Sequence, residues 1–377
     1  MPSSDSSTSE SQARGQVPRP ASTDFPTLLR FQADQCAVNG SPLYATILAA
    51  AASDAEDGGP CFEVLRGHEK DPLGTALVLR FMGGVHRLAL EGDAPDLAAF
   101  YPSAGGSLEA GDPWPAFREA VAAHVDLLRT RLADGVQTNE VGRAAALAPA
   151  FLTVAIETGH PLRVLEVGAS AGLNMRWDQF RYEDGDERWG SDASPVRLAG
   201  RWSGTPRPWR DAPSSEGVVV ERAGCDPKPI DAIGDEGRHK LRSFVWPDQV
   251  ERLRILDAAI EVARSAPATI EQEEAVPWLA RRLAEPVEGA ATVVYHSIVM
   301  QYMNKANRAA VAQAIADAGN RATPDAPVAW LRMEPGWVEG RADVTLTTWP
   351  GGRERLIALT GFHGMPVEWS GPNGLRR

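Results

Sequence analysis

The chain has 377 residues, a length for about two domains with a large buried core. Hydrophobic residues make up 43% and charged residues 23%, and 50 acids against 38 bases leave a net charge of -12. That field repels nucleic acid and anionic membrane alike, so neither is an expected partner.

Residues 1–23 are Ser-rich with almost nothing to bury, and a disordered tail is expected there. They lack the basic start and apolar stretch of a signal peptide. The longest apolar run, near Leu43 to Ala52, is short for a membrane span. Cys36, Cys61 and Cys225 are too scattered for a disulfide framework or zinc knuckle, and no histidines pair at ligand spacing, so no metal is expected. Together these features predict a cytoplasmic protein.

From 24 to 158 the pattern is mainly helical. Asn39-Gly40-Ser41-Pro42 separates two helices. Leu73–Leu79 and Val85–Leu90 flank Met82-Gly83-Gly84 and fit either two helical turns or a short hairpin. Trp114–Leu132 reads as one helix, with Phe117, Val121, Val125 and Leu128 on one face. Ala144–Glu157 reads as another, stopped by Gly159-His160-Pro161.

From 159 to 377 strands alternate with helices. Expected strands are Leu162–Val167, Val218–Cys225, Leu241–Trp246, Thr292–Val299 and Val328–Met333, and expected helices Asp248–Arg264, Trp278–Leu283 and Arg308–Ala318. Pro350-Gly351-Gly352-Arg353 turns a closing hairpin. Repeated βα units imply an α/β fold with a mostly parallel sheet and an antiparallel edge. The interval 176–217, rich in Trp, Pro and Gly, reads as an insertion, its tryptophans packing it onto the sheet or walling a pocket.

The sharpest signal is Leu165-Glu166-Val167-Gly168-Ala169-Ser170-Ala171-Gly172-Leu173-Asn174, a buried strand running into a turn of tiny residues. Such a turn lets backbone approach a ligand. It fits an S-adenosylmethionine loop of the E-x-G-x-x-x-G kind. A dinucleotide loop needs Gly where Ser170 stands. Gly168 to Gly172 also matches G-x-S-x-G, the nucleophile elbow of a serine hydrolase, with Asp226, His296 and His363 available as partners. A tight turn needing small residues for packing alone is the plainest alternative. The elbow strand of a hydrolase lies mid-sheet after several others, whereas this strand opens its sheet, which favours the adenosylmethionine reading.

This motif, with Trp189-Gly190, Ser194-Pro195, Gly224-Cys225-Asp226, Val245-Trp246-Pro247-Asp248-Gln249, His296-Ser297, Gln301-Tyr302 and Leu331-Arg332-Met333-Glu334-Pro335, resembles an uncharacterised bacterial family, domain of unknown function 2332. That resemblance carries no activity with it. The second half also resembles the Rossmann-like class I S-adenosylmethionine-dependent methyltransferases, a mostly parallel seven-strand sheet whose last strand is antiparallel. The likeness implies S-adenosylmethionine as cofactor and methyl transfer to a small molecule. Glu166, Gly168 and Gly172 would wrap the amino-acid end of the cofactor, with Ser170 donating one hydrogen bond. Asp226, or else Glu221, would take the ribose, although the 176–217 insertion makes the interval to it far longer than the usual ~20 residues. Trp246 and Asp248 would hold the adenine. His296 and Tyr302 would stand where the methyl acceptor binds and take a proton.

Other readings stay open. The same fold also serves ligand-binding proteins without chemistry, and that reading stands beside the enzymatic ones. His296 interrupts an apolar strand and is a satisfied core histidine or a general base. Arg332 and Glu334 share a face and form an ion pair or anchor a substrate. His363 sits in a Gly-flanked loop, exposed or catalytic. Oligomeric state is not legible.

Overall fold

The structure, a computed structural model, describes residues 24–71, 75–204 and 207–374. The expected tail 1–23 and Leu73 lie outside the described residues. The chain divides into two compact units, one running to Val136 and including Trp246–Val250, the other comprising Gln137–Val245 and Glu251 onward. The unit boundary therefore precedes the helix at 144, which belongs with the sheet.

The first unit contains α1 (Phe25–Val38), α2 (Pro42–Glu56), α3 (Pro60–Leu65), α4 (Leu77–Glu91), α5 (Pro95–Ala98), α6 (Trp114–Ala123) and α7 (Val125–Arg131). Proline opens α1, α2, α3, α5 and α6, where its missing N–H is no loss. Gly40, at φ 83°, makes the break between α1 and α2, and the Ser41 side chain caps α2 by accepting from Tyr44 N. Met82-Gly83-Gly84 is not a turn: α4 runs through it. A β-carbon on Gly84 would stand 3.3 Å from Leu128 of α7, so the glycine serves close packing. The expected long helix after Trp114 is broken at His124 into α6 and α7.

In the second unit α8 (Ala144–Thr158) precedes β1 (Leu162–Val167). The stretch Val141–Thr158 is long and apolar enough to cross a membrane by length and composition, and 78% of it is buried within the protein. The insertion folds into β2 (Arg181–Asp184), β3 (Glu187–Trp189), β4 (Arg197–Ala199) and β5 (Trp202–Gly204). Then follow β6 (Val219–Asp226), α9 (Asp235–Ser243), α10 (Val250–Ser265), β7 (Thr269–Gln272), α11 (Ala275–Arg282), β8 (Ala291–Ser297), α12 (Lys305–Asn320), β9 (Val328–Pro335), β10 (Ala342–Trp349), β11 (Arg353–Thr360) and β12 (Val367–Trp369).

The fold is α/β, with nine strands in the order β5-β12-β11-β10-β9-β8-β1-β6-β7. The run β7-β6-β1-β8-β9 is parallel. The expected single antiparallel last strand is instead a meander: β10, β11 and β12 each run antiparallel to the strand before, and β5 adds to the far edge. The tight Gly351-Gly352 turn, with both φ positive, lets β11 fold back on β10. Leu165, Val167 and Val294 face α11 and α12, while Val164, Val293 and Tyr295 face the layer holding α8 and α10. The insertion's tryptophans pack inward: Trp177 stacks on Phe151 of α8 at 4.8 Å and on Trp189 at 5.4 Å.

The expected strand Leu241–Trp246 is overturned. Its first residues end α9, a helix with acids in its first turn and bases in its last, as the helix dipole favours. The third parallel strand is β7, a short polar Thr-Ile-Glu-Gln segment that carries little strand signal. Trp246 and Asp248 belong to the helical unit. Trp246 packs on Tyr44 at 6.4 Å, and Asp248 accepts from Ser41 Oγ at 2.7 Å and Leu43 N at 3.2 Å. Both contact the start of α2, and neither follows a strand as expected. Asp248→Ala should lower the stability of the helical unit by about 1–2 kcal/mol, the usual cost of losing such a cap. Urea unfolding checks this, and an unchanged midpoint would return Asp248 to a ligand role.

Candidate functional site

From β1 the chain moves to one side, to β6 and β7, and then to the other, to β8 and β9. The reversal between β1 and β8 is a topological switch point, where open α/β sheets bind ligands beyond the strand C-termini. Three described non-glycine residues have positive φ, and two flank this point: Ser170 at 53° and Ile298 at 56°. Strain of this kind gathers at functional sites.

The tiny-residue turn is held from beneath. Gly168 N and Ala169 N donate to Cys225 O at 2.9 and 3.0 Å, Ser170 N to Asp226 Oδ2 at 2.9 Å, and Gly172 N to Ala169 O at 2.7 Å. The other Asp226 oxygen accepts from Lys228 N at 2.8 Å. A β-carbon on Gly168 would meet Val299 at 2.7 Å, and one on Gly172 would meet Met175 at 2.5 Å and Ile270 at 2.8 Å. Both glycines hold positive φ, and Gly168 in addition lies too close to Val299 for a side chain. Ser170 Oγ is buried with no hydrogen-bond partner, so the serine–base pair of a G-x-S-x-G hydrolase is not formed.

A cleft of about 350 Å³ opens beside this turn. Ala171 and Arg176 line it from the turn, Ile230 and Asp231 from the segment after Asp226, and Ala263 and Ile270 from the α10–β7 side. Ile230 N donates to Ser170 O at 3.1 Å, tying that segment to the turn. Glu221 faces elsewhere: it pairs with Arg163 at 2.7 Å and with Arg282.

Glu166 is 2% exposed and lies opposite Tyr295 in the β1–β8 register. Burial pushes its carboxyl up to about 8, against the opposing pull of the nearby Tyr295 hydroxyl, Arg143 and Arg176. At neutral pH it is mostly protonated.

Strand alternation puts His296 on the opposite face from Glu166 and Tyr295. His296 is fully buried, with Nδ1 2.6 Å from Glu334 Oε1 and Nε2 accepting from Trp330 Nε1 at 3.1 Å. The indole N–H makes Nε2 an acceptor, so Nδ1 carries the proton and no ring nitrogen is left for substrate. The same Glu334 oxygen accepts from Val299 N at 3.0 Å, so His296 positions the loop that presses on Gly168. Glu334 and Arg332 do not pair with each other; Arg332 bonds Glu354 at 2.6 Å. Tyr302 stands at the rim, 71% exposed.

Sequence reading missed a set of arginines. Arg143 Nη1 donates to Ser297 O at 3.0 Å and Ser297 Oγ at 3.3 Å, and its Nε to Phe362 O at 3.0 Å. Arg176 donates to Gly172 O and Ala266 O, both at 2.7 Å. Glu140, paired with Arg252, is held down to about 2: the charges of Arg252, His363 and Arg143 outweigh burial, the largest single influence. A charged pair, Glu140 and Arg143, immediately before the apolar helix at 144 was the available signal.

A family model matches residues 27–369, that of uncharacterized proteins conserved in bacteria, domain of unknown function 2332. The chain belongs to this family. No curated protein and no solved structure matches it.

Two outcomes check the site. Gly168→Ala should cost about 1–3 kcal/mol, from left-handed backbone and from overlap with Val299. Adding Val299→Ala should recover the overlap part, measured by unfolding midpoints; equal losses in the single and double variants would refute the contact. Glu166 has a folded value raised above its ordinary 4.5, so the folded state binds the extra proton between 4.5 and about 8. Its contribution to stability is intact below that window and falls as pH rises through it. Glu166→Gln should flatten the loss of stability across the same window in urea titrations at successive pH values.

Proposed function

We propose that this protein is an S-adenosylmethionine-binding methyltransferase acting on a small molecule. The observation that carries the reading is the cleft of about 350 Å³ between the E-x-G-x-x-x-G turn and the segment after Asp226, at the C-terminal edge of a parallel sheet. Its volume lies in the range of small-molecule sites, roughly 300–1,000 Å³. The five-strand order β7-β6-β1-β8-β9 supports it too, because the first, second and third strands of such a unit then stand side by side with the fourth and fifth beyond.

The residues present suit a nucleoside-bearing group. Ile230 and Ile270 supply apolar walls and Asp231 a carboxylate. Asp226, with each oxygen already accepting one amide, keeps lone pairs for ribose hydroxyls. Bound there, the cofactor supplies an electrophilic methyl group. The chain's part is positioning: Gly168 and Gly172 shape the turn, and His296 holds the Val299 loop through Glu334. Tyr302, exposed at the rim, would exchange a proton with a methyl acceptor bound beside it.

Calorimetric titration with S-adenosylmethionine and S-adenosylhomocysteine tests this. Saturable heat is expected, and it should be lost in Ile233→Trp, which crowds the cleft from an exposed position and should leave the melting temperature unchanged. Absence of heat with both compounds at millimolar concentration would sink the reading.

A further inference from the structure

Away from the cleft, the rim of the second unit carries more positive charge than its own acids neutralise. Arg143, Arg201 and Arg252 gather around one carboxylate, Glu140. Glu140 is committed to Arg252, which reaches it through both Nε, at 3.0 Å, and Nη2. Arg143 donates only to neutral acceptors, the Ser297 and Phe362 oxygens. Half-buried Arg201 touches the Met365 sulfur at 3.6 Å, and among the described residues no carboxylate stands within ion-pair distance of it. The other acids within electrostatic reach are engaged. Glu251 holds Arg254 through two bonds of 2.8 and 2.9 Å, and Glu334 holds His296 and Val299 N. Glu166 is mostly neutral at pH 7. Burying guanidinium charge without a matching anion is unfavourable, and a bound anion would offset that cost.

The local backbone brings both arginines against one segment, residues 362–365 after β11. A β-carbon on Gly364 would stand 2.1 Å from Gly142 O, so the segment after β11 lies directly on the segment before α8. Arg143 binds that segment at Phe362 and Arg201 at Met365. Phe362 and Met365 expose apolar surface beside them, at 38% and 51%.

We propose that Arg143 and Arg201 form an anion-binding site for a small molecule that carries a carboxylate or phosphate on an apolar body. Planar guanidinium forks match both groups, and Phe362 and Met365 supply the apolar contact. The site shares no residue with the nucleoside cleft and stands independently of it.

Thermal-shift and calorimetric titrations of the full chain with phenyl phosphate and with benzoate, against uncharged benzyl alcohol, test this. Saturable stabilisation by one or both anions and none by benzyl alcohol is the expected result. The tighter of the two identifies the group as phosphate or carboxylate. Arg201→Gln breaks no ion pair, so it should melt with the parent and bind the anion about tenfold more weakly or worse. Arg201→Lys keeps the charge and loses the fork, and should fall between. No stabilisation by either anion at millimolar concentration, equal stabilisation by benzyl alcohol, or undiminished anion binding in both variants would overturn the proposal.

Discussion

The Asp226 carboxylate ties the ends of two strands into one rigid turn. It sits at the end of β6, accepts Ser170 N from the neighbouring β1 turn, and closes its own loop through Lys228 N. With Gly168 N and Ala169 N on Cys225 O, the turn after β1 has little freedom left. The consequence runs across the sheet. Gly168 lies against Val299, Val299 N is held by Glu334 of β9, and Glu334 holds His296 of β8. Four adjacent parallel strands therefore end in a single connected rim. The positive φ of Ser170 and Ile298 is sustained because the surroundings over-determine both positions.

Two titratable groups buried at this rim are stabilised in opposite ways. His296 has both nitrogens matched, one to a carboxylate and one to an indole N–H, so its burial carries little penalty. Glu166 has one oxygen buried without a hydrogen-bond partner, and it avoids a bare charge by keeping its proton. Strand alternation places them on opposite faces. One protects the scaffold; the other leaves a protonated carboxyl beside the strained turn.

The insertion contributes more than bulk. Its aromatic residues form one buried stack, with Tyr182 on Trp209 at 5.6 Å and Trp189 on Trp177 at 5.4 Å. Trp202 donates its indole N–H to Ala145 O of α8 at 2.8 Å. That bond anchors the neighbouring Arg201 close to the segment that carries Arg143. The aromatic stack thus acts through packing and fixes where Arg201 stands.

The local patterns decided a good deal by themselves. The run Leu162–Val167, apolar except for Arg163 and Glu166, reads as a buried strand, and the Gly351-Gly352 pair as the turn of a hairpin; both stand where the pattern puts them. The tiny turn after Glu166 was equally legible as a turn. What it does was not, because a glycine required by Val299 and one required by a ligand leave the same letter in a sequence. Tertiary structure decided the rest. The stretch around Gly83-Gly84 fits a helix or a hairpin equally well, and only the approach of α7 says why so small a residue stands at Gly84 inside a helix. Trp246 and Asp248 read as the end of a strand, yet they complete a helical unit whose other residues lie some 200 positions earlier in the chain. Arg143 and Arg201 reach the same segment after β11 from loops far apart in sequence. Short-range periodicity encodes which segments are helices and strands; which polar groups find partners depends on long-range packing, and the site is made of those.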